Sequence, residues 1–391
     1  MAPGSPRFLQ LDGLRAVAII LVVAHHSLTS SGARVLRSVQ LPKAAELLEF
    51  STRSGVELFF VLSGVVLLRP YLRRTRPFRA GTYLRRRAER LWPPYVVTLL
   101  FASAVLALPR WHPTWYSDVL PRFSPGGMLV QAGIVNLGWP SYSGAWWSLN
   151  LELFFYLLVP LLVAGFLALR SRPSGFAAFG GLAVVGSLVA SEWLSSSGDL
   201  VQTAAGGETG PSVLGAGQIT ALFFVFLPCF AIGAALARFS FTPRIGRILI
   251  VVGSAHCVVG LFAPALNIHL GFGLLYGGIV ILAQDAGSRL AERLSGSQLV
   301  WLGERSYSLF LVHFPVFYLV NYLTSLVVPR RGPAYFVVTR GVGLPAALLA
   351  AMAVFWLVER RFARGLTTAD RFWPPIGAVR QPSPALRRNP S

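Results

Sequence analysis

The chain has 391 residues, of which 54% are hydrophobic and only 13% charged, with a mean hydropathy of +0.59 and a formal net charge of +20. That little charge cannot clothe the surface of the two or three soluble domains such a length would allow. The two cysteines, Cys229 and Cys257, lie inside apolar runs, which excludes a disulfide framework or a metal cluster, and the basic charge falls between apolar runs, which points to membrane lipid and not nucleic acid as a partner.

Apolar runs long enough to cross ~30 Å of hydrocarbon recur along the chain. Spans are predicted near 8–28, 55–72, 91–108, 146–169, 176–194, 217–238, 247–263, 266–284, 306–328 and 334–358. The expected fold is an all-α integral membrane protein with about ten transmembrane helices, multi-pass in the cell membrane. The first run carries Asp12 and Arg15 and lacks a small-residue cleavage site, so it reads as a retained helix. Ten spans put both termini on one side. Of the 35 basic residues, 25 fall in segments on that side and 8 on the other, while Arg15 and Arg340 lie within spans. The positive-inside rule makes the N-terminus and C-terminus cytoplasmic. Residues 1–360 then form one transmembrane domain. Residues 361–391, rich in Pro and Arg, read as a disordered cytoplasmic tail. No internal repeat is visible.

Ionisable residues inside spans are costly and therefore candidates for function. In the first span Arg15 and His26 are 11 residues apart. At 100° per residue this is about 20° past three turns, so both share one face, ~16 Å apart, while His25 points about 80° away from Arg15. A histidine pair at a membrane boundary also fits that spacing. Asp12 is the simplest partner of Arg15. Glu57 begins the second span at the depth of His26. There it would orient the imidazole as a general base requires, unless it points into outer water.

The segment 69–90 is the strongest basic patch. Arg87 and Arg90 are three residues apart and Arg86 and Arg90 four, so a helical face would present them together. Guanidinium groups bind phosphates bidentately, so the patch suits a cytosolic ligand with several phosphates such as CoA. It also suits anionic lipid and the orientation signal itself. The long outer loop 109–145 carries Trp111, Trp115, Tyr116, Trp139 and Tyr142, either a sugar-stacking surface or an interface belt. Glu152 lies ~9 Å into the fourth span from its outer end, which puts it with His26 near the outer third, and there it must be paired or line a cavity. His313 lies ~10 Å into the ninth span, which by depth places it near Arg15; a packing histidine is the plainer reading.

At these residues the chain resembles the acyltransferase 3 family of multi-spanning O-acyltransferases, over roughly residues 8–360. Leu11-Asp12-Gly13-Leu14-Arg15 with His26 matches the family's opening pattern, and Gly55 to Gly64 its second. Arg87 and Arg90 match its Arg-x-x-Arg pattern, Trp147 to Glu152 its Trp-Ser-Leu-x-x-Glu pattern, and Tyr307 to His313 its late histidine pattern. Leu153 and Phe154 stand where many members carry polar residues. The resemblance implies an enzyme that moves an acyl group, acetyl first, from cytosolic acyl-CoA to a hydroxyl of a carbohydrate or glycosylated natural product, with no bound cofactor and no metal. It implies His26, Arg15, Glu57 and Glu152 as catalytic residues, and Arg87, Arg90 and His313 as residues that bind acyl-CoA, to which the shared helical face adds Arg86. His26 would act as base or as a transient acyl carrier. The competing class is a proton-coupled small-molecule transporter using His26, Glu57, Glu152 and His313 as a relay; the internal repeat usual in such proteins is not found.

Overall fold

In a computed structural model the described residues are 8–29, 50, 52–73, 77–108, 124–134, 142–168, 173–196, 216–262, 267–285, 287–329 and 333–365. Among them there are helices and no strand. The helices are α1 (Leu9–Ala24, continued as a π-helical turn His25–Thr29), α2 (Gly55–Leu72), α3 (Ala80–Leu106) and α4 (Pro125–Ala132). Next come α5 (Trp147–Ala168), α6 (Pro173–Ser196), α7 (Ala216–Arg238), α8 (Pro243–Phe262) and α9 (Ile268–Ala283). The last are α10 (Arg289–Leu294), α11 (Ser297–Glu304), α12 (Ser306–Ser325), α13 (Pro333–Val354, continued as a π-helical turn Phe355–Glu359) and α14 (Arg360–Gly365). Trp111, Trp115, Tyr116, Trp139 and the tail beyond 365 lie outside the described residues.

Each of the ten expected spans coincides with a helix. Eight are long and apolar enough to cross a membrane. The third span is the C-terminal part of the 27-residue α3, whose early turns hold Arg85, Arg86, Arg87, Glu89 and Arg90. The eighth is α9, apolar but only 16 residues long. The chain is thus an all-α, multi-pass membrane protein. Its outer helices show why: Leu182, Val189, Val251 and Leu349 are all more than half exposed on α6, α8 and α13, a surface that suits lipid and not water. The centre is formed by α2, α7 and α12, the most enclosed of the long helices. Gly64 and Gly233 let α2 and α7 touch backbone to backbone, since a Cβ on either would strike the other helix.

Two local features set the depth of the polar residues. First, α4 folds back against the middle of α3. The Trp92 indole donates to the Ala132 carbonyl at 3.1 Å, and the Tyr95 hydroxyl donates to the Gln131 carbonyl at 2.7 Å. Buried Tyr142 hydrogen-bonds Ser124 and Gln131, and Trp146 packs on Tyr95. The start of α5 is therefore level with the middle of α3. Irregular backbone at such depth is tolerated because it is buried in protein. Second, α10 and α11 run beside α1: a Cβ on Gly303 would collide with the Asp12 carbonyl, and one on Gly13 with the Leu294 carbonyl. That contact delivers the start of α12 to the level of Arg15.

Candidate active site

A cavity of about 110 Å³ opens at the arginine-rich end of the bundle. Arg15 of α1, Arg87 and Arg90 of α3, Glu152 and Tyr156 of α5, and Ser306, Tyr307 and Phe310 of α12 line it, and Phe59, Phe60 and Val66 of α2 supply an apolar wall. Arg15 Nη1 lies 4.0 Å from Asp12 Oδ1, an i,i+3 pair on one helix face. Arg90 interacts electrostatically with Tyr156, Glu359, Glu152 and Tyr307. The Tyr156 hydroxyl donates a very short hydrogen bond to Glu152, and Arg87 lies over the rings of Tyr83 and Tyr156 at 5.5 and 5.8 Å. Glu359, from the π-helical turn after α13, accepts from Ser308 Oγ at 2.6 Å. The arginines are thus held near carboxylates, yet the buried Arg87 Nε has no hydrogen-bond partner among the described residues. Arg86 is not among the lining residues.

The sequence-based depths of two residues need correction. Glu152 does not sit with His26 in the outer third; it belongs to the arginine cluster, because α5 begins low beside Tyr95. His313 does not sit at the level of Arg15. Its Nε2 lies 3.0 Å from His26 Nδ1, with the rings stacked at 5.2 Å between centroids. The shift follows from α12 starting level with Arg15, so that its first two turns carry His313 outward to where its ring meets that of His26.

A third expectation is also overturned. Glu57 is not beside His26. Its Oε1 accepts from His269 Nδ1 at 2.7 Å, in a buried pair, while its Oε2 has no hydrogen-bond partner among the described residues. His269 was not singled out in the sequence. The available signal was its place near the outer start of the span 266–284, the depth of Glu57 in the second span.

The separation of the two adjacent histidines does hold. His25 Nδ1 pairs with Thr52 Oγ1 at 3.2 Å, while His26 faces His313 and Phe314, whose ring centroid is 4.5 Å away. The hydrogen bonds around His26 fix its tautomer. His313 Nδ1 lies 3.0 Å from the Leu309 carbonyl, which can only accept, so this nitrogen carries the proton. With both rings neutral, His313 Nε2 must then accept from the Nδ1–H of His26. The lone pair of His26 is left on Nε2, which has no hydrogen-bond partner among the described residues. That is the arrangement of a histidine base oriented by a second group. Phe310 bridges the two regions: it lines the cavity and lies 6.0 Å from the His313 ring.

Comparison with known proteins supplies a further constraint. The acyltransferase 3 profile, described as an acyltransferase domain, matches residues 8–360. The chain is 27% identical over 374 residues to the O-acetyltransferase OatA of Staphylococcus aureus, covering 85% of this chain and 54% of the relative. It is 26% identical over 357 residues to the peptidoglycan O-acetyltransferase OatA of Listeria monocytogenes, covering 82% and 51%. It is also 26% identical over 375 residues to the acyltransferase MdmB of Streptomyces mycarofaciens, covering 90% and 89%. The chain thus spans about half the length of the two OatA relatives and most of MdmB. No solved structure matches it.

Proposed function

The chain belongs to the acyltransferase 3 family, and from that premise we propose that it is a membrane O-acyltransferase that uses acyl-CoA from the cytosol. Donor phosphates bind at the arginine-rich end near Arg87 and Arg90, and the pantetheine arm runs past Arg15 toward His26. The acceptor is a hydroxyl of a carbohydrate or of a glycosylated natural product; the first class is supported by the Listeria relative, which is named for peptidoglycan. The O-acetyltransferase names of the two OatA relatives favour acetyl as the acyl group. Both termini are cytoplasmic in this reading, which puts the arginine-rich mouth where CoA is found.

The observation that carries the proposal is the Nε2 of His26, without a hydrogen-bond partner among the described residues and with its tautomer set by His313, joined through Phe310 to a cavity lined by three arginines. In the transfer step Nε2 takes the proton of the acceptor hydroxyl as its oxygen attacks the thioester carbonyl carbon. The tetrahedral intermediate collapses with cleavage of the C–S bond, and the CoA thiolate leaves with the proton from His26. Developing imidazolium charge is shared along the hydrogen bond to His313 Nε2. Arg15 stays with the donor, since it lies ~16 Å from His26 along α1.

The test is release of free CoA from acetyl-CoA by purified protein in detergent or nanodiscs, with and without carbohydrate and macrolide acceptors. Acceptor-dependent release with an acetylated product is the expected result. Uptake of the acceptor into vesicles without CoA release would support the transporter instead.

A further inference from the structure

The intramembrane Arg340 has no part in the reaction above, and its position suggests one. It lies about two turns into α13, and its side chain is buried. Its Nε donates to the Ser27 carbonyl at 2.5 Å. Its Nη1 donates to Asn321 Oδ1 at 3.4 Å and to Thr339 Oγ1 at 3.1 Å, and the guanidinium lies over the Phe336 ring at 5.5 Å. Ser27 follows His26 in the π-helical turn His25–Thr29, and Asn321 belongs to α12, the helix that carries His313. One guanidinium therefore ties α13 to both segments that present the histidine pair.

The need for such a tie is physical. The last carbonyls of a helix have no intrahelical donor, and water cannot supply one inside a protein. A π-helical turn is a looser closure than an α-turn and is common where a side chain has to be aimed. The stacked His26–His313 contact joins segments 287 residues apart in sequence, so its geometry depends on what holds α1 against α12. An arginine within a span is penalised by the bilayer, and the cheapest way to end α1 would not use one.

We infer that Arg340 is a positioning residue for the transfer reaction: by holding the Ser27 carbonyl and Asn321 together it keeps His26 Nδ1 bonded to His313 Nε2 and Nε2 of His26 aimed at the reacting groups. The inference rests on the reading of His26 as the base. The experiment compares wild type, His26→Ala, Arg340→Met and Arg340→Lys, measuring membrane abundance, thermal stability in detergent, kcat, and KM for acetyl-CoA. Arg340→Met keeps the length of the side chain but leaves the buried Ser27 carbonyl without this donor, so its membrane abundance and thermal melt are read before its kinetics. Its kcat should fall on the order of tenfold to hundredfold, the scale of a small misplacement of reacting groups, with KM for acetyl-CoA within about twofold because the arginine-rich mouth is untouched. Arg340→Lys, which can still donate to the Ser27 carbonyl, should turn over faster than Arg340→Met.

A folded Arg340→Met with wild-type kcat overturns the inference, as does an Arg340→Lys no faster than Arg340→Met. If Arg340→Met fails to reach the membrane, Asn321→Leu decides: it should lower kcat several-fold at unchanged KM, and unchanged kcat overturns the inference. Full turnover in His26→Ala is the distinct result that overturns the reading of the site and the inference with it.

Discussion

At the arginine-rich end, Arg15, Arg87 and Arg90 share a cavity with Glu152 and Tyr156, and Glu359 lies within electrostatic reach. Further along the same bundle, His26 and His313 stack among Phe310, Phe314 and Phe317, with no carboxylate in contact among the described residues. The first region is dense in charge and opens on a cavity; the second presents two imidazoles among aromatic rings, with the Arg340 guanidinium behind them on the Ser27 carbonyl. A cluster of guanidinium groups in a cavity suits a ligand that brings its own negative charge, because the ligand replaces water as the partner of exposed donors. A neutral imidazole pair suits a proton that must move and return, because a permanent charge beside it would bias the proton to one side. The two regions should therefore fail differently when mutated, one in binding and the other in turnover.

The largest expected effect is at the histidines. His26→Ala removes the base and should lower kcat by about 10²–10⁴-fold, the range supplied by general base catalysis. His25→Ala should stay within several-fold of wild type, because His25 faces Thr52 and not His313. Equal loss in both variants at normal membrane abundance would break the distinction between the two rings.

The next effect sharpens the tautomer argument. His313→Phe keeps the aromatic packing with Phe310 and Phe314 but removes the acceptor for His26 Nδ1–H. The kcat should fall on the order of tenfold to hundredfold with KM for the acyl donor nearly unchanged, since tautomer control is lost but Nε2 remains. Steady-state kinetics over a range of acetyl-CoA concentrations separate the two parameters. A rise in KM alone would place His313 with the donor, as its sequence-based depth suggested.

Why that depth misled is visible in particular residues. Hydropathy found a helix at each expected span, eight of them long and apolar enough to cross a membrane, because lipid demands long apolar runs, and the 100° rule separated His26 from His25, because both lie on one helix. Depth across helices is another matter. Counting residues from the ends of spans assumes that every span starts at the same plane. Here α5 starts level with Tyr95, because α4 hydrogen-bonds Trp92 and Tyr95. In turn α12 starts level with Arg15, because Gly303 rests on the Asp12 carbonyl. The first displacement moved Glu152 into the arginine cluster and the second moved His313 up to His26. Neither is written in hydropathy; each depends on one short segment packing against one helix. Glu359 lies just past the last expected span, and Arg340, although visible within a span, gave no role from the sequence, because their partners, Ser308 and the Ser27 carbonyl, attract no notice there.

In the arginine cluster, Arg87→Ala is expected to weaken acetyl-CoA binding about tenfold at nearly constant kcat. One guanidinium–phosphate contact contributes roughly 1.5–3 kcal/mol before losses to solvent at an open mouth. Arg90→Ala should add a stability cost that Arg87→Ala lacks, because Arg90 balances Glu152 and Glu359. Isothermal titration with a CoA ligand and a thermal melt of each variant check both statements. An effect of Arg87→Ala on kcat alone would erase the division between a binding end and a chemical centre.

The smallest expected effect on turnover lies outside both regions, at Glu57, and it limits how far the chemical centre extends. Its carboxylate accepts from His269, 212 residues away, and so joins α2 to α9 near the Phe226 ring. Glu57→Gln keeps an acceptor oxygen of nearly the same shape but gives up the charge-assisted part of the bond, which reduces stability by about 1–2 kcal/mol. Glu57→Leu leaves the buried His269 Nδ1 unpaired and should cost more, about 2–3 kcal/mol. Turnover measured below the melting transition should stay within about threefold of wild type in Glu57→Gln, because no atom of Glu57 is hydrogen-bonded to His26 or His313. A thermal melt in detergent and kcat at saturating acetyl-CoA read the two quantities independently. If Glu57→Gln instead lost turnover as His313→Phe does while melting normally, the carboxylate would have to reach the base during the reaction, and the Glu57–His269 hydrogen bond would belong to the chemical centre and not to the scaffold.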